Sequence, residues 1–293
     1  MSRYGLLSDI KKIFTSTVIN ILALLRYKLG GGTFGLNTTE KRDKRIVVTL
    51  TTIPSRMGAV QISLDCLLRQ SVKPDKVIVN LGQELFEGIS LPNGFKILES
   101  RGVEIRYVPY LCPHSKYFYT MQDFPEDIVI TFDDDVIYQK RVIEELMKSY
   151  KRHPRSVSCL RAHKMIFDEH HILLPYNQWE YETTCVDIQS TQIFSTGAGG
   201  VLYPPHVLNK DVFHSGLLSE LCFRADDVWL KAMELLNHTS VVLASKDYRR
   251  LTLVRRSQRV ALKKTNIRKA ENDICIQNVF QHYGITYSDF QDQ

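Results

Sequence analysis

Three adjacent carboxylates follow an apolar run in the middle of the chain. Residues 127–137 read Asp-Ile-Val-Ile-Thr-Phe-Asp-Asp-Asp-Val-Ile, so a buried strand would carry Asp133, Asp134 and Asp135 at its carboxyl end. Like charges packed this closely repel one another unless a counter-charge keeps them ionised. A divalent cation with oxygen ligands would supply that charge, and the lack of a nearby Cys or His set favours Mn²⁺ or Mg²⁺ over zinc. The alternative is an acidic turn that only ends a strand.

The segments around this cluster alternate between strand and helix patterns from Arg45 onward. The predicted strands are continuous apolar runs, which is typical of strands buried on both faces. We therefore expect an α/β fold, in which helices flank a mostly parallel sheet. Ligands of such sheets bind beyond the carboxyl ends of the strands, where the three aspartates would lie. The strands are predicted at 46–50, 77–81, 103–108 and 128–132, and the helices at 57–69 and 142–150.

Residues 1–32 predict a separate amphipathic helix that ends at Gly30-Gly31-Gly32. Such a helix, with basic neighbours and a glycine hinge, is typical of a membrane interface. The alternative is a helix that packs on its own domain or on a second copy. No segment approaches the roughly 20 apolar residues that span a bilayer, and no signal-peptide cleavage site is evident. The apolar positions recur at spacings of three and four: Leu7, Ile10, Phe14, Val18, Ile21 and Leu25.

The net charge of +6 is unevenly distributed along the chain. Residues 249–269 contain nine Lys or Arg and no acid, which gives +9, and residues 1–30 carry +4, which leaves −7 for the rest. Both ends of the chain are therefore expected to attract negatively charged partners, such as phosphate or an anionic membrane surface. Nucleic acid is not expected as a partner, because the basic segment lacks interleaved aromatic residues and the body is acidic.

The composition, with 44% hydrophobic and 24% charged residues among 293, is that of an ordinary globular chain. The cysteines lie singly with no CxxC pair, so neither a zinc site nor a disulfide framework is predicted. We expect a cytoplasmic protein that is peripheral at the inner face of the membrane. The cysteines are Cys66, Cys112, Cys159, Cys185, Cys222 and Cys275.

Three motifs follow one another along the chain: Thr-Leu-Thr-Thr-Ile-Pro-Ser-Arg at 49–56, the triple Asp, and Asp226-Asp227 before a helical pattern. In this order they resemble glycosyltransferases of the GT-A fold, closest to family 2-like bacterial enzymes of surface-polysaccharide synthesis. The resemblance covers roughly residues 45–240. It implies a Rossmann-like domain that transfers sugar from a nucleotide-diphosphate sugar, with UDP as the nucleotide, to a glycan or lipid-linked acceptor.

The domain boundaries expected from this resemblance are 45–245, with a nucleotide-binding half at 45–155 and an acceptor half at 156–245. A basic segment and a C-terminal helix would follow at 246–293. The basic segment has two compatible interpretations, a loop that closes over the diphosphate or a surface for an anionic membrane.

The resemblance also assigns donor-binding roles to individual residues. By similarity to the DXD motif, Asp133 would contact the ribose or a metal-bound water, and Asp135 would bind Mn²⁺ or Mg²⁺. Asp134 could replace either. The loop after the first strand would hold the nucleotide, and Arg56 would hold the diphosphate. The full donor-binding set is Thr51, Thr52, Pro54, Arg56, Lys116, Asp133, Asp134, Gly199 and Gly200.

An inverting transferase needs a general base that deprotonates the acceptor hydroxyl. Asp226 and Asp227 match that position, and Asp227 is favoured because Asp226 is better placed to cap the following helix. The glycines of the turn at 196–200 would let backbone approach the sugar closely. Trp229 is expected in the helix core.

Two other functions remain open on the sequence. A phosphatase of the haloacid dehalogenase type would use Asp133 as nucleophile and Asp135 as acid, with Lys210 and the Asp226-Asp227 pair completing the set. Its nucleophile strand usually comes first in the domain, whereas three predicted strands precede this one. The second is a non-catalytic, membrane-associated adaptor with the same fold.

Overall fold

A computed structural model of the chain describes residues 3–30, 34–248, 251–255, 257 and 265–291. The described strands are β1 Ile46–Thr52, β2 Lys76–Gly82, β3 Val103–Val108, β4 Ile128–Thr131, β5 Val157–Cys159, β6 Ala162–Lys164, β7 Gln189–Ser190, β8 Ile193–Ser195, β9 Val201–Tyr203 and β10 Val241–Leu243. The described α-helices are α1 Arg3–Leu29, α2 Met57–Leu68, α3 Gln83–Phe86, α4 Asn93–Glu99, α5 Phe118–Asp123, α6 Val142–Arg152, α7 Ser215–Leu221, α8 Asp226–Leu235 and α9 Thr265–Tyr283.

Eight of these strands form one sheet in the order β3-β2-β1-β4-β9-β5-β10-β7. Strands β1 to β4 are mutually parallel, and β5 and β10 run in the same direction as they do. Strands β9 and β7 run the opposite way. The expectation of a mostly parallel α/β sheet is therefore confirmed. Strands β6 and β8 pair separately as a small antiparallel sheet.

Strand β1 shows why an apolar run without alternation predicts burial on both faces. Val47 packs into the core that α5, α7, α8 and α9 cover, whereas Ile46 and Val48 pack into the core covered by α2, α4 and α6. All three side chains are fully buried. We call the side where β1 to β4 end the carboxyl edge of the sheet, and the side where they begin the amino edge.

The second half of the predicted domain is part of the same sheet. Strands β5, β9 and β10 all come from residues 156–245; β9 pairs with β4 and with β5, and β5 pairs with β10. The predicted C-terminal helix corresponds to α9, which packs against α8. Of the predicted basic segment, residues 249–250, 256 and 258–264 lie outside the described residues.

Helix α1 docks on the domain through its C-terminal half. Ala23 is buried against Ala59 and Ile62, and the Tyr27 hydroxyl donates to Gln61 at 2.6 Å. This part of the helix therefore packs on its own domain, which was the alternative to a membrane-bound helix. The described residues of the predicted apolar stripe are exposed: Phe14, Val18, Ile21 and Leu25.

Gly30 ends α1 with a φ of 70°, and Gly31 and Gly32 of the predicted hinge lie outside the described residues. Among the helices that the structure describes, none is long and apolar enough to cross a bilayer. The expected location at a membrane stays a prediction.

Candidate active site

Four segments meet at the carboxyl edge because each follows the end of a strand or begins a helix there. They are the loop after β1, the short 3-10 helix that ends at Lys116, the turn after β4 and the first turn of α8. We call their charged residues the site cluster: Arg56, Lys116, Asp133, Asp134, Asp135, Asp226 and Asp227. The structure thus brings the predicted triple Asp and the predicted Asp pair together.

Lys116 is the centre of the site cluster. Its ammonium lies 2.7 Å from Asp133 Oδ1 and 3.1 Å from Asp226 Oδ2, with 8% of the side chain exposed. Its backbone carbonyl accepts a 2.6 Å bond from the buried Thr49 hydroxyl of β1, which fixes the short helix on the sheet. Burial alone would lower the pKa of Lys116, but the surrounding carboxylates outweigh it and raise the pKa well above its usual value. Lys116 is therefore a permanent cation between the two acidic motifs.

Asp134 turns away from Lys116 toward the loop after β1. Its carboxylate accepts bonds from the Thr52 hydroxyl at 2.6 Å and from Arg56 at 2.9 Å. The same guanidinium lies 3.5 Å from Asp135. Burial nevertheless raises the pKa of Asp134. The loop and the aspartate turn are thus connected through Arg56, the residue that was expected to hold the diphosphate.

The Asp pair that begins α8 does not cap the helix, so the prediction that Asp226 is the cap is wrong. The N-cap is Ala225, without any side-chain cap bond. Asp226 instead faces Lys116, and Asp227 accepts a bond from the Gly197 backbone N–H at 3.1 Å.

The pKa values of the two carboxyls of this pair are shifted in opposite directions. Burial favours the neutral form of both, but for Asp226 the attraction of Lys116 outweighs it and lowers the pKa. For Asp227, burial and the repulsion of Asp226 together raise the pKa well above its usual value. A raised pKa suits a group that takes up a proton during a reaction near neutral pH.

The glycines of residues 197–200 differ in what they face. A Cβ on Gly197 would lie 2.8 Å from the Lys116 ammonium and 3.2 Å from Asp227, so this glycine lines the site. Gly200 has a φ of 94°, and a side chain there would meet the ring of Phe132. A side chain on Gly199 would meet Arg161 at 2.7 Å. Gly199 and Gly200, the two predicted ones, thus serve close packing against protein.

Two of the predicted nucleotide-loop residues point elsewhere. Thr51 donates to the Asn80 carbonyl of β2 at 2.7 Å, and Pro54 starts the short 3-10 helix that leads into α2.

Two residues that the sequence did not suggest hold the aspartate turn in place. The Tyr138 hydroxyl accepts a 2.8 Å bond from the Asp133 backbone N–H, and the Ser63 hydroxyl of α2 donates to the Asp134 and Val136 carbonyls. The sequence does not indicate this role for either residue. One is a Tyr five residues after Asp133 and the other is a Ser in an apolar helix, and their contacts depend on how α2 packs.

The donor set fits a divalent cation that is shared with a bound ligand. Mg²⁺ usually takes one or two carboxylates and completes its shell with water and substrate phosphates. The Asp133 side chain is 29% exposed, and Asp133 and Asp135 present only oxygen ligands. In the part of the chain that the structure describes, no group of three or more His, Cys, Asp or Glu side chains is arranged to hold a metal. The residues thus suit a shared cation better than an all-protein cage.

The set required for the phosphatase is not assembled. Lys210 lines a cavity of about 580 Å³ together with Asp127, Val129 and Tyr203. Those residues surround the beginning of β4, so Lys210 lies at the amino edge, whereas Asp133 follows the end of the same strand. The large cavity is therefore remote from the site cluster, and the expected partner of a phosphatase nucleophile is at the wrong end of the sheet.

No protein-family model and no curated protein matches the sequence. The solved structures that are similar to the chain include two at 13% identity. One is a CMP:2-keto-3-deoxy-manno-octonic acid synthetase complexed with CTP, with a TM-score of 0.39 over 69% of this chain and 88% of that chain. The other is the mannosyltransferase PcManGT from Pyrobaculum calidifontis in complex with GDP-Man and Mn²⁺, with a TM-score of 0.42 over 80% of this chain and 64% of that chain. Similarity this low leaves the function to be inferred from the chain's own site.

Proposed function

We propose that this chain is a glycosyltransferase that moves a sugar from a nucleotide-diphosphate sugar to a glycan or lipid-linked acceptor. The observation that carries the proposal is the position of Lys116, whose ammonium bridges Asp133 and Asp226 at the carboxyl edge. A role in surface-polysaccharide synthesis and UDP as the nucleotide follow from the GT-A resemblance alone.

The site cluster suits this reaction because of its net charge. Five carboxylates face two basic side chains, so the site has an excess of negative charge that a divalent cation would reduce, and the bound cation would in turn attract an anionic diphosphate. Mn²⁺ or Mg²⁺ bound by Asp133 and Asp135 would supply charge neutralisation for the departing diphosphate.

The chain's own residues supply the remaining functions at the donor end. Arg56 holds Asp134 and lies beside Asp135, which orients the aspartate turn before the donor binds. Lys116 keeps Asp226 ionised and provides a fixed positive charge for an anionic leaving group.

At the acceptor end, Asp227 is the general base of the proposal. It takes the proton from the acceptor hydroxyl at its carboxylate, while the Gly197 N–H fixes the orientation of that carboxylate. Attack from the side opposite the leaving group would invert the anomeric centre. General bases contribute about 10²- to 10⁴-fold to the rate, so we expect Asp227→Asn to lower kcat by that factor while donor affinity changes little.

The test of the reaction class is product analysis. The protein is incubated with a panel of nucleotide sugars and with phosphomonoesters, each with and without Mn²⁺. The proposal expects release of a nucleoside diphosphate, and sugar transfer when a mixed glycan acceptor is present. Release of inorganic phosphate from phosphomonoesters, without turnover of any nucleotide sugar, would overturn it.

The metal-binding role is tested by calorimetry of donor binding to wild type and Asp135→Asn. We expect Mn²⁺ to strengthen binding to the wild type and to have no effect on the variant. Asp123→Asn removes an exposed carboxylate, paired with Arg106 on the surface, and serves as the matched control. Equal enhancement by Mn²⁺ in wild type and Asp135→Asn would refute the role of Asp135.

A further inference from the structure

Helix α1 has two opposite faces with different environments. Ala23, Arg26 and Tyr27 face the domain, where Ala23 is buried and the other two hydrogen-bond to α2. At 100° per residue, the opposite face of residues 14–29 spans about 100° and carries only large apolar side chains. Within it, Phe14 is 69% and Leu22 is 60% exposed. This apolar face consists of Phe14, Val18, Ile21, Leu22, Leu25 and Leu29.

The contacts of α1 fix its direction relative to the sheet. Asn20 bonds to the Leu253 carbonyl and to the Arg255 N–H, and the Val254 N–H of the same segment bonds to the Asp135 carbonyl. Six residues later, Arg26 reaches Asp65 near the end of α2. Because α2 starts at the carboxyl edge and runs toward the amino edge, α1 runs the same way from Asn20 onward.

The N-terminal half of α1 therefore projects past the carboxyl edge. Residues 3–19 continue as one helix, which at 1.5 Å per residue reaches about 25 Å beyond Asn20. The apolar face continues onto this projecting part, since Phe14 and Val18 belong to it. The apolar face of α1 therefore lies on the same side of the molecule as the site cluster, at the carboxyl edge and not at the amino edge.

We propose that the apolar face of α1 lies in the interface of an anionic phospholipid bilayer and that the carboxyl edge, with the site cluster, faces that bilayer. This goes beyond the reaction itself: it assigns a surface, a partner and an orientation. If the proposed function holds, the orientation presents the site to an acceptor carried by the membrane.

Charge favours an anionic bilayer over a second copy of the chain. Residues 1–30 carry five basic residues against one acid, and the segment bonded to Asn20 leads into a stretch whose sequence holds nine Lys or Arg and no acid in residues 249–269. Basic segments of two such chains would repel each other, whereas anionic headgroups attract each basic residue near the surface. The apolar face and the basic sequence thus select the same partner.

Co-sedimentation with vesicles tests the surface. Phosphatidylcholine vesicles with and without phosphatidylglycerol are compared for wild type, Phe14→Glu and Ile172→Glu. Ile172 is 62% exposed in the second half of the domain and provides a matched apolar-to-acidic control. Burying a Phe side chain corresponds to about tenfold or more in affinity, so we expect at least that loss for Phe14→Glu and no change for Ile172→Glu. Absence of binding by the wild type, or equal binding by Phe14→Glu, would overturn the proposal.

Light scattering after gel filtration distinguishes a second copy. A wild-type dimer that Phe14→Glu converts to monomer would show that the apolar face is a dimer interface, and the bilayer proposal would then be wrong. We expect the same oligomeric state for both proteins.

Hydrogen exchange on the full chain tests the orientation. Phosphatidylglycerol-containing vesicles should slow amide exchange in residues 13–25 and 251–255, and leave residues 124–127 and 204–210 at the amino edge unchanged. Protection at the amino edge in place of these segments would contradict the proposed orientation. None of these measurements uses a nucleotide sugar, so their failure and the failure of the proposed transferase activity are distinguishable.

Discussion

Two clusters of buried charge in this molecule have opposite compositions. The site cluster holds five carboxylates and two cations, Lys116 and Arg56. The second, which we call the anchor cluster, holds one carboxylate and three cations: Asp65 is fully buried and lies 3.2 Å from Arg26, 2.8 Å from Arg69 and 3.4 Å from Arg101.

The difference in composition separates a site from a structural tie. In the anchor cluster, one carboxylate joins α1, α2 and the end of α4, and Phe34 covers the guanidinium of Arg101 at 4.1 Å. The single carboxylate is thereby held by three protein cations. In the site cluster the negative charge exceeds the positive, and Asp133 is partly open to solvent. Excess negative charge at an open edge can be completed by a cation, whereas the anchor cluster has no such opening for its single carboxylate.

The largest effect is expected for Lys116→Met. Removal of the ammonium leaves Asp133, Asp226 and Asp227 without their cation, and breaking a buried ion pair in this way destabilises a protein by about 3–5 kcal/mol. We expect a loss of this size in the free energy of unfolding from urea denaturation, together with loss of donor binding.

The same variant sharpens the contrast between the clusters. If the site cluster has excess negative charge, Mg²⁺ or Mn²⁺ should raise the melting temperature of Lys116→Met by more than it raises that of the wild type. A variant as stable as wild type in the absence of any divalent cation would contradict the view that Lys116 balances these carboxylates.

In the anchor cluster the carboxylate is the critical partner. Asp65→Asn leaves three arginines around a neutral amide, and we again expect a loss of about 3–5 kcal/mol. Because Asp65 holds Arg26, the variant should also loosen α1, which would appear as faster amide exchange in residues 20–29.

Removing one cation from the anchor cluster should have a much smaller effect. Arg26 is 41% exposed and is one of three partners of Asp65, so Arg26→Met is expected to cost about 1 kcal/mol or less. Asp123→Asn, which opens an exposed ion pair with Arg106, provides the reference for a surface pair. If Arg26→Met lost as much free energy of unfolding as Asp65→Asn, one arginine would matter as much as the carboxylate. That result would contradict the view that the carboxylate is the critical partner.

The sequence predicted the parallel half of the fold closely, because long apolar strands and periodic helices are local signals. The predicted strand at 103–108 coincides with β3, and the predicted helix at 57–69 differs from α2 by one residue. Strand β9 was not predicted. It has three residues, and its antiparallel direction between β4 and β5 is set by tertiary pairing that no local pattern expresses.

For the site, residue types were predictable and their pairing was not. The triple Asp, Lys116 and the Asp226-Asp227 pair were all selected as candidates, because clustered carboxylates and strand ends are visible in a sequence. That Lys116 bridges the two acidic motifs depends on where a 3-10 helix meets the start of α8. The helix-cap interpretation of Asp226 was wrong because a nearby buried cation attracts its carboxylate more than the backbone N–H groups of the helix do.

A third buried pair, with one carboxylate and one cation, lies between the two clusters in composition. Lys231 and Glu234 pair one to one at 3.2 Å inside the core, and Glu234 Oε1 has no hydrogen-bond partner among the described residues. Burial raises the pKa of Glu234 to about 7, although Lys231 opposes the shift. The folded state therefore favours the protonated form more than the unfolded state does.

The sign of the pH effect follows from this raised pKa. The raised pKa of Glu234 stabilises the folded state fully below pH 4.5, the ordinary pKa of Glu, and this stabilisation is lost as the pH rises to about 7. We expect the free energy of unfolding of the wild type to fall across this window by up to about 3 kcal/mol relative to Glu234→Gln. Urea denaturation of both proteins at several pH values measures the difference. A difference that stays constant from pH 4.5 to 8 would show that Glu234 is ionised in the folded core, as a carboxylate compensated by its cation in the way that Asp65 is by its arginines.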